Sequence, residues 1–153
     1  MNGFAHAARA KLDDRACLVD GINKGNCGVS LVDVPDPHIV IDLDEAGSPL
    51  GKTQAKCDFL FFADPNLVAP IEIKDGAPAI KKATKQLQAG ADAADELAPR
   101  DLAIDFRLVL VSKELRRDKQ FELRQKSVRF RKREEKIRRL ACGEQLTETL
   151  GNT

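Results

Sequence analysis

Three charged residues of the kinds that bind metal ions and activate water lie close together in this sequence. Asp58 stands in the apolar segment Cys57-Asp58-Phe59-Leu60-Phe61-Phe62, and Glu72 and Lys74 stand in Ile71-Glu72-Ile73-Lys74. Carboxylate oxygens are the ligands that Mg²⁺ and Mn²⁺ prefer, and these ions retain several waters. A bound divalent ion lowers the pKa of its water and polarises a phosphoryl oxygen. The pattern therefore predicts a metal-dependent hydrolytic site.

The two segments have the composition of the strands of a β-hairpin, which would bring these side chains together. Between them lies Ala63-Asp64-Pro65-Asn66-Leu67, which is rich in turn-forming residues. With the turn centred on Pro65, position 62 pairs with position 68 and position 58 with position 72. Asp58 then lies across from Glu72, and Lys74 shares their face by the period of two. The alternate side chains are expected to face the core: Phe59, Phe61, Ile71 and Ile73.

Two carboxylates on opposed positions repel each other, so this register needs a compensating charge. A divalent cation shared by Asp58 and Glu72 would supply it. The alternative is that Glu72 and Lys74 belong to an ordinary solvated strand face and that Asp58 lies on a turn. A register slip of one residue would send Asp58 to the other face and favour that alternative.

The arrangement resembles the PD-(D/E)xK nuclease superfamily, whose signature is an acidic residue at the end of one strand and Glu-x-Lys on the next. The match runs through Asp58, Glu72, Ile73 and Lys74, and Cys57 stands where the name-giving proline would be. The resemblance implies that Asp58 and Glu72 bind Mg²⁺ or Mn²⁺. It also implies that Lys74 helps to position or activate the attacking water.

The surrounding elements fit the common core of this superfamily. Hydrophobic periodicity predicts strands over 38–44 and 102–111, and a helix that starts near Pro78 and runs to about Leu97. With a helix over about 5–18, the order is αβββαβ. We therefore expect an α/β, restriction-endonuclease-like fold with a mixed central sheet flanked by helices. The resemblance covers residues 38–112, and residues 1–153 are expected to form one nuclease-like domain.

Further site residues follow from the resemblance. The RecB-like exonuclease branch carries a glutamine on the helix after Glu-x-Lys, which implies a catalytic role for Gln86, with Gln88 as the alternative; either could also be an ordinary exposed helix position. A third acidic ligand often comes from the first helix or strand of such proteins. Its identity is open here among five residues: Asp13, Asp14, Asp20, Asp42 and Asp44.

Positive charge is concentrated near the C-terminus, although the whole chain carries a formal charge of only +1. Residues 113–139 contain 13 lysines and arginines against five acids. Neutralisation of phosphates is the sequence-independent source of nucleic-acid affinity. The alternative is a solvated helical surface with mixed charges. We predict a basic helical C-terminal extension over about 113–150, and nucleic-acid binding by Lys81, Lys85, Arg116, Arg117, Arg124, Arg129 and Arg131.

Composition favours a soluble, cytoplasmic protein. The chain has 153 residues, of which 32% are charged, and its first residues lack the pattern of an export signal. The four cysteines have no C-x-x-C spacing, so we expect free thiols rather than a zinc site.

One other motif points to a different chemistry. Residues 46–53, Ala-Gly-Ser-Pro-Leu-Gly-Lys-Thr, satisfy a relaxed P-loop pattern for nucleotide binding. Ala46 replaces the strict first glycine, Pro49 removes an amide donor, and the strand expected from about Lys56 leaves no room for the required helix. We interpret 45–55 as a loop between strands.

These observations predict a Mg²⁺-dependent endo- or exodeoxyribonuclease that acts in restriction, phage defence or repair. DNA is the expected substrate ahead of RNA, and the small size suggests a homodimer or a partner protein that carries target recognition. The alternative is a catalytically inactive module of the same fold that binds nucleic acid or a partner protein.

Overall fold

The computed structural model describes residues 3–12, 15–44 and 56–150. In this part of the chain, helices flank a mixed β-sheet, as predicted for an α/β protein. The helices are α1 (Phe4–Ala10), α2 (Ile80–Leu97), α3 (Arg117–Arg124) and α4 (Thr147–Leu150). The strands are β1 (Leu18–Val19), β2 (Ile22–Lys24), β3 (Cys27–Val29), β4 (His38–Asp42), β5 (Phe59–Ala63), β6 (Leu67–Lys74), β7 (Asp105–Phe106), β8 (Leu108–Ser112), β9 (Ser127–Phe130) and β10 (Arg133–Ala141).

The main sheet has the strand order β1-β4-β5-β6-β8-β10-β9, and β7 also pairs with β6. Strands β1, β4, β5 and β6 are antiparallel neighbours, whereas β6, β8 and β10 run parallel. Helix α2 connects β6 to β8, as parallel neighbours require a crossover. The carboxyl ends of β6 and β8 therefore meet at one end of the sheet, where Lys74 lies across from Ser112.

Both faces of the central strands are buried, because β5, β6 and β8 carry apolar side chains at nearly every position. Helices α1 and α2 cover one face and pack on Leu60, Phe62 and Val68. The β2–β3 hairpin and the segment around Leu146 cover the other face. The expected inward-facing set of Phe59, Phe61, Ile71 and Ile73 lies in this second core, as predicted.

The predicted hairpin and its register are confirmed. Phe62 pairs with Val68, and Phe59 pairs with Ile71. Position 58 therefore lies just before the first paired residue of β5 and directly across from position 72. The alternative of a solvated strand face is wrong, because Glu72 is completely buried and Asp58 is only 4% exposed.

Helix α2 follows its predicted apolar pattern and presses closely on the strands that carry the acids. Ile80, Ala83, Leu87, Ala91, Ala94 and Leu97 are buried along it. A Cβ at Gly90 would lie 2.8 Å from the Cβ of Cys57 and 3.0 Å from that of Pro70. Only glycine permits this approach without a shift of the helix.

The helical character predicted for the C-terminal extension is wrong over residues 133–141, whereas α3 and α4 are helical as predicted. Residues 133–141 form strand β10, which pairs with β8 on one side and with β9 on the other. Their Arg, Glu, Lys and Leu residues favour helices locally, but sheet pairing along the edge of β8 prevails. Arg131 and Lys132 form the two-residue turn with positive φ angles of 48° and 71°, which match the right-handed twist of a hairpin.

Two smaller expectations are also corrected. The first helix ends at Ala10, and Arg15–Cys17 form a separate 3-10 turn. The glycine-rich segment expected to be a flexible connection forms the β2–β3 hairpin, in which Gly25 takes the positive φ of 60° that its turn requires.

Candidate functional site

Asp58 lies at the point where β5 begins, and its side chain extends the hydrogen bonding of the hairpin. Its Oδ2 accepts a hydrogen bond of 2.8 Å from the backbone amide of Ile73. Its own backbone amide donates 3.0 Å to Oε1 of Glu72. Each carboxylate is therefore held in place by a backbone amide from the segment that carries the other acid.

Two lysines neutralise the pair. Lys74 Nζ lies 2.9 Å from Oε2 of Glu72, and Lys24 Nζ lies 2.8 Å from Oδ1 of Asp58. Lys74 was predicted to share this site, and the structure brings it there. Lys24 was not predicted. It lies at the end of β2 in the sequence Asn23-Lys24-Gly25-Asn26, whose turn residues indicate a hairpin but not its position over the acids.

The electrostatics of the site reflect burial and close like charges. Burial, followed by the charge of Asp58, raises the pKa of Glu72 from 4.5 to about 7, against the opposing effect of Lys74. The hydrogen bond to Asp58 is the largest cause that raises the pKa of Lys24, and the charges of Glu72 and Asp44 add to it. Burial also raises the pKa of the Cys57 thiol, so Cys57 is a neutral, buried neighbour of both acids.

Gln86 lies on α2 near the level of Glu72, and it is half-buried. Helix α2 runs antiparallel to β6, and Gly90 packs against Pro70. Four residues of helix span about 6 Å, and two residues of strand span about 6.6 Å, so Gln86 lies near the level of position 72. Its Oε1 is buried and accepts no hydrogen bond in the described part of the chain.

Gln88 has a different role from Gln86. Its Nε2 donates 2.9 Å to the carbonyl of Arg129, and its Oε1 accepts 3.0 Å from the amide of the same residue. The side-chain amide of Gln88 thus pairs with the backbone N–H and C=O of Arg129, as a neighbouring strand would at the outer edge of β9. Gln88 is a structural residue in this arrangement.

The oxygen atoms of this site are of the kind that bind hard divalent ions. Glu72 Oε2 and Gln86 Oε1 are the two buried side-chain atoms without a well-oriented hydrogen bond among the described residues, although Oε2 retains its ionic contact with Lys74. Mg²⁺ is often held by one or two carboxylates, with waters and substrate phosphates completing its coordination. No group of three or more His, Cys, Asp or Glu residues suited to a metal occurs within 3–12, 15–44 and 56–150.

The candidates for the third acidic ligand that lie among the described residues differ in their contacts. Asp44 lies near enough to raise the pKa of Lys24, whereas the Asp42 carboxylate accepts a hydrogen bond from the Asp44 amide. Asp13, Asp14 and the P-loop-like segment 46–53 lie outside the described residues.

The predicted nucleic-acid-binding residues divide into two groups. Lys81 and Lys85 are exposed on the first turns of α2. Arg116 and Arg117 are also exposed, and they follow Ser112, which pairs with Lys74 at the carboxyl end of β6. Arg124 lines a cavity of about 290 Å³ with Arg139, a residue that sequence reasoning missed. Arg139 shares a sheet row with Leu110 and Glu72, two strands or about 10 Å from the acid.

The structure does not bring Arg129 and Arg131 to the acids. Arg129 is exposed on the edge strand β9. Arg131 binds Asp95 at the far end of α2 with an Nε to Oδ1 distance of 2.6 Å and also donates to the carbonyl of Ala98. Its guanidinium lies over the ring of Phe130, 5.4 Å from the centroid. These contacts stabilise the junction between α2 and the β9–β10 turn.

The expectation of four free thiols is wrong for two of them. Cys27 and Cys142 form a disulfide, whereas Cys17 and Cys57 are buried thiols. Disulfides are typical of oxidising compartments, so this bond does not favour the cytoplasmic location expected from the composition.

Helices that could cross a membrane are absent from the described part of the chain. Comparison with protein-family models, with curated proteins and with solved structures found no match to this chain.

Proposed function

We propose that this protein is a Mg²⁺-dependent nuclease of the PD-(D/E)xK type that hydrolyses phosphodiester bonds in DNA. The observation that carries the proposal is the convergence of Asp58, Glu72 and Lys74, held by the hydrogen bonds between the two strands. With the short β1, the β2–β3 hairpin and β7 set aside, the order α1, β4, β5, β6, α2, β8 supports an αβββαβ core of the restriction-endonuclease-like type.

The chain's own residues have separable roles in this proposal. Asp58 and Glu72 would hold Mg²⁺ or Mn²⁺, which lowers the pKa of a bound water and polarises the phosphoryl oxygen. Lys74, which is 21% exposed beside Glu72, would donate a hydrogen bond to the attacking water and orient it. The free Oε1 of Gln86 would accept a hydrogen bond from the same water. Exposed cations at this end of the sheet, Lys81, Lys85, Arg116 and Arg117, would hold the nucleic-acid backbone.

The decisive experiment compares the wild-type protein with Glu72→Gln on supercoiled plasmid, linear duplex, single-stranded DNA and RNA. Each substrate is incubated with Mg²⁺, with Mn²⁺ and with EDTA. Cleavage should require the metal and fall by about 10³-fold in the variant, because one ligand loses its charge. Asp95→Asn is the matched control, since it removes a carboxylate on α2 that does not contact the site. Equal cleavage by the wild type and Glu72→Gln would overturn the proposal.

A second function is favoured by one specific observation. Lys24 and Lys74 already neutralise both acids, so the folded protein needs no metal ion to balance their charges. This favours a catalytically inactive module that binds nucleic acid or a partner protein. Such a module would cleave none of the four substrates. Its affinity for DNA would be unchanged by EDTA and would fall with added salt as its lysines and arginines release counterions.

A further inference from the structure

The β2–β3 hairpin places one cation on the single oxygen of Asp58 that the sheet does not use. The Oδ2 atom accepts the Ile73 amide, and Oδ1 contacts Lys24 Nζ at 2.8 Å. The two partners differ greatly in exposure: the Lys24 side chain is 53% exposed and the Asp58 side chain 5%. A buried carboxylate is therefore bound by a lysine that can leave into solvent.

The backbone that carries Lys24 is fixed, so any movement belongs to the side chain. Lys24 pairs with Cys27 across the hairpin, and the disulfide joins Cys27 to Cys142. Next to the disulfide, the Gly143 amide donates 2.7 Å to the Gly28 carbonyl. The Leu146 amide donates 2.9 Å to the Ser30 carbonyl, so two covalently joined segments hold the hairpin against the sheet.

We propose that Lys24 is a resident counter-ion that competes with the divalent cation for Asp58 Oδ1. This inference rests on the proposed metal site and adds a control on its loading. One oxygen cannot coordinate a hard cation while it accepts a hydrogen bond along the same direction from an ammonium. The cation and the ammonium also repel each other, which lowers the metal affinity of the protein.

The competition is tested by measuring the Mn²⁺ affinity of the nucleic-acid-free protein, by calorimetry and by the electron paramagnetic resonance signal of unbound Mn²⁺. Lys24→Gln should bind Mn²⁺ about 10-fold more tightly than the wild type, because the competitor is gone. Lys24→Arg should show no such gain, because it keeps the positive charge and the hydrogen bond. Lys82→Gln is the matched control, as it removes the same charge from an exposed position on α2, and its affinity should stay within about twofold.

An unchanged or weaker Mn²⁺ affinity in Lys24→Gln would overturn the proposal, as would the absence of Mn²⁺ binding in every variant. Thermal unfolding of each variant tests whether the fold is retained. The outcome is independent of the nuclease assay. Tighter Mn²⁺ binding by Lys24→Gln, with no cleavage by the wild type, would retain the counter-ion and reject the nuclease.

Discussion

The two ends of helix α2 both gather acids and bases, but they satisfy them differently. At the C-terminal end, Asp95 binds Arg100 and Arg131, and Arg131 also reaches backbone carbonyls. The strands that pack under the N-terminal half of α2 carry Asp58 and Glu72, which are almost fully buried. There the pKa of Glu72 is raised to about 7, and acceptor atoms of Glu72 and Gln86 lack well-oriented donors.

The charges of the Asp95 cluster are paired near the surface, whereas burial disfavours the ionised form of Glu72. The folded chain holds the proton of Glu72 more tightly than the unfolded chain, in which the pKa is near 4.5. The contribution of Glu72 to stability is therefore fully present below pH 4.5 and is lost as the pH rises to about 7. A costly, frustrated group on a rigid scaffold is typical of functional sites.

The largest expected effect breaks the comparison directly, by removing one acid from each end. Asp58→Asn should lower Mn²⁺ affinity by on the order of 10²-fold, because it removes a charged ligand. It should also lower the free energy of unfolding by about 1–3 kcal/mol, because the buried carboxylate accepts the Ile73 amide and pairs with Lys24. Asp95→Asn should destabilise by about 1–2 kcal/mol and leave Mn²⁺ affinity unchanged. Calorimetry and urea unfolding give both quantities. An unchanged Mn²⁺ affinity in Asp58→Asn would show that both clusters are structural.

The second prediction concerns the disulfide that anchors Lys24 beside the acids. Replacing Cys27 and Cys142 together by alanine should lower the free energy of unfolding by about 2–4 kcal/mol, because the bond closes a loop across 115 residues of sequence. Urea unfolding of the wild type with and without a reducing agent should show the same difference. The double variant serves as the control, since the reductant should no longer affect it. An unchanged midpoint in the reduced wild type would contradict the prediction.

The site was predictable because its geometry is local. The turn at Pro65 and the alternation of β5 and β6 fix the register over residues 58–74, and the positions of Asp58, Glu72 and Lys74 follow from it. The apolar periodicity of α2 was equally readable. These features depend on spacing within one hairpin or one helix, where residue patterns determine which side chains share a face.

The remaining features depend on distant parts of the chain. Lys24 reaches Asp58 because the β2–β3 hairpin folds over the sheet, and Cys27 meets Cys142 from 115 residues away. Strand β10 was mistaken for a helix because its residues favour helices and its turn, Arg131-Lys132, lacks the usual glycine or asparagine. Only the pairing with β8 makes it a strand.

The third prediction sharpens the comparison at the middle of α2, where Gly90 touches the strands of the site. Gly90→Ala should destabilise by about 1–3 kcal/mol, since the new methyl group would lie within 3.0 Å of Cys57 and Pro70. This exceeds the gain of about 1 kcal/mol in helix propensity. Gly76→Ala is the control, because its Cβ would meet nothing within 4 Å. Thermal unfolding of both variants measures the effect, and a stabilised Gly90→Ala would show that the helix can shift freely.

The smallest effects separate the two glutamines of α2. Gln86→Leu should lower metal-dependent cleavage by about 10-fold and leave stability within about 1 kcal/mol, because its Oε1 accepts no hydrogen bond from the described residues. Gln88→Leu should leave cleavage unchanged but destabilise by about 1–2 kcal/mol, because two backbone groups of Arg129 lose their partners. Paired measurements of cleavage rate and urea midpoint distinguish the two. If Gln86→Leu affected only stability, the orphaned oxygen would belong to packing, and the acids and Lys74 alone would define the site.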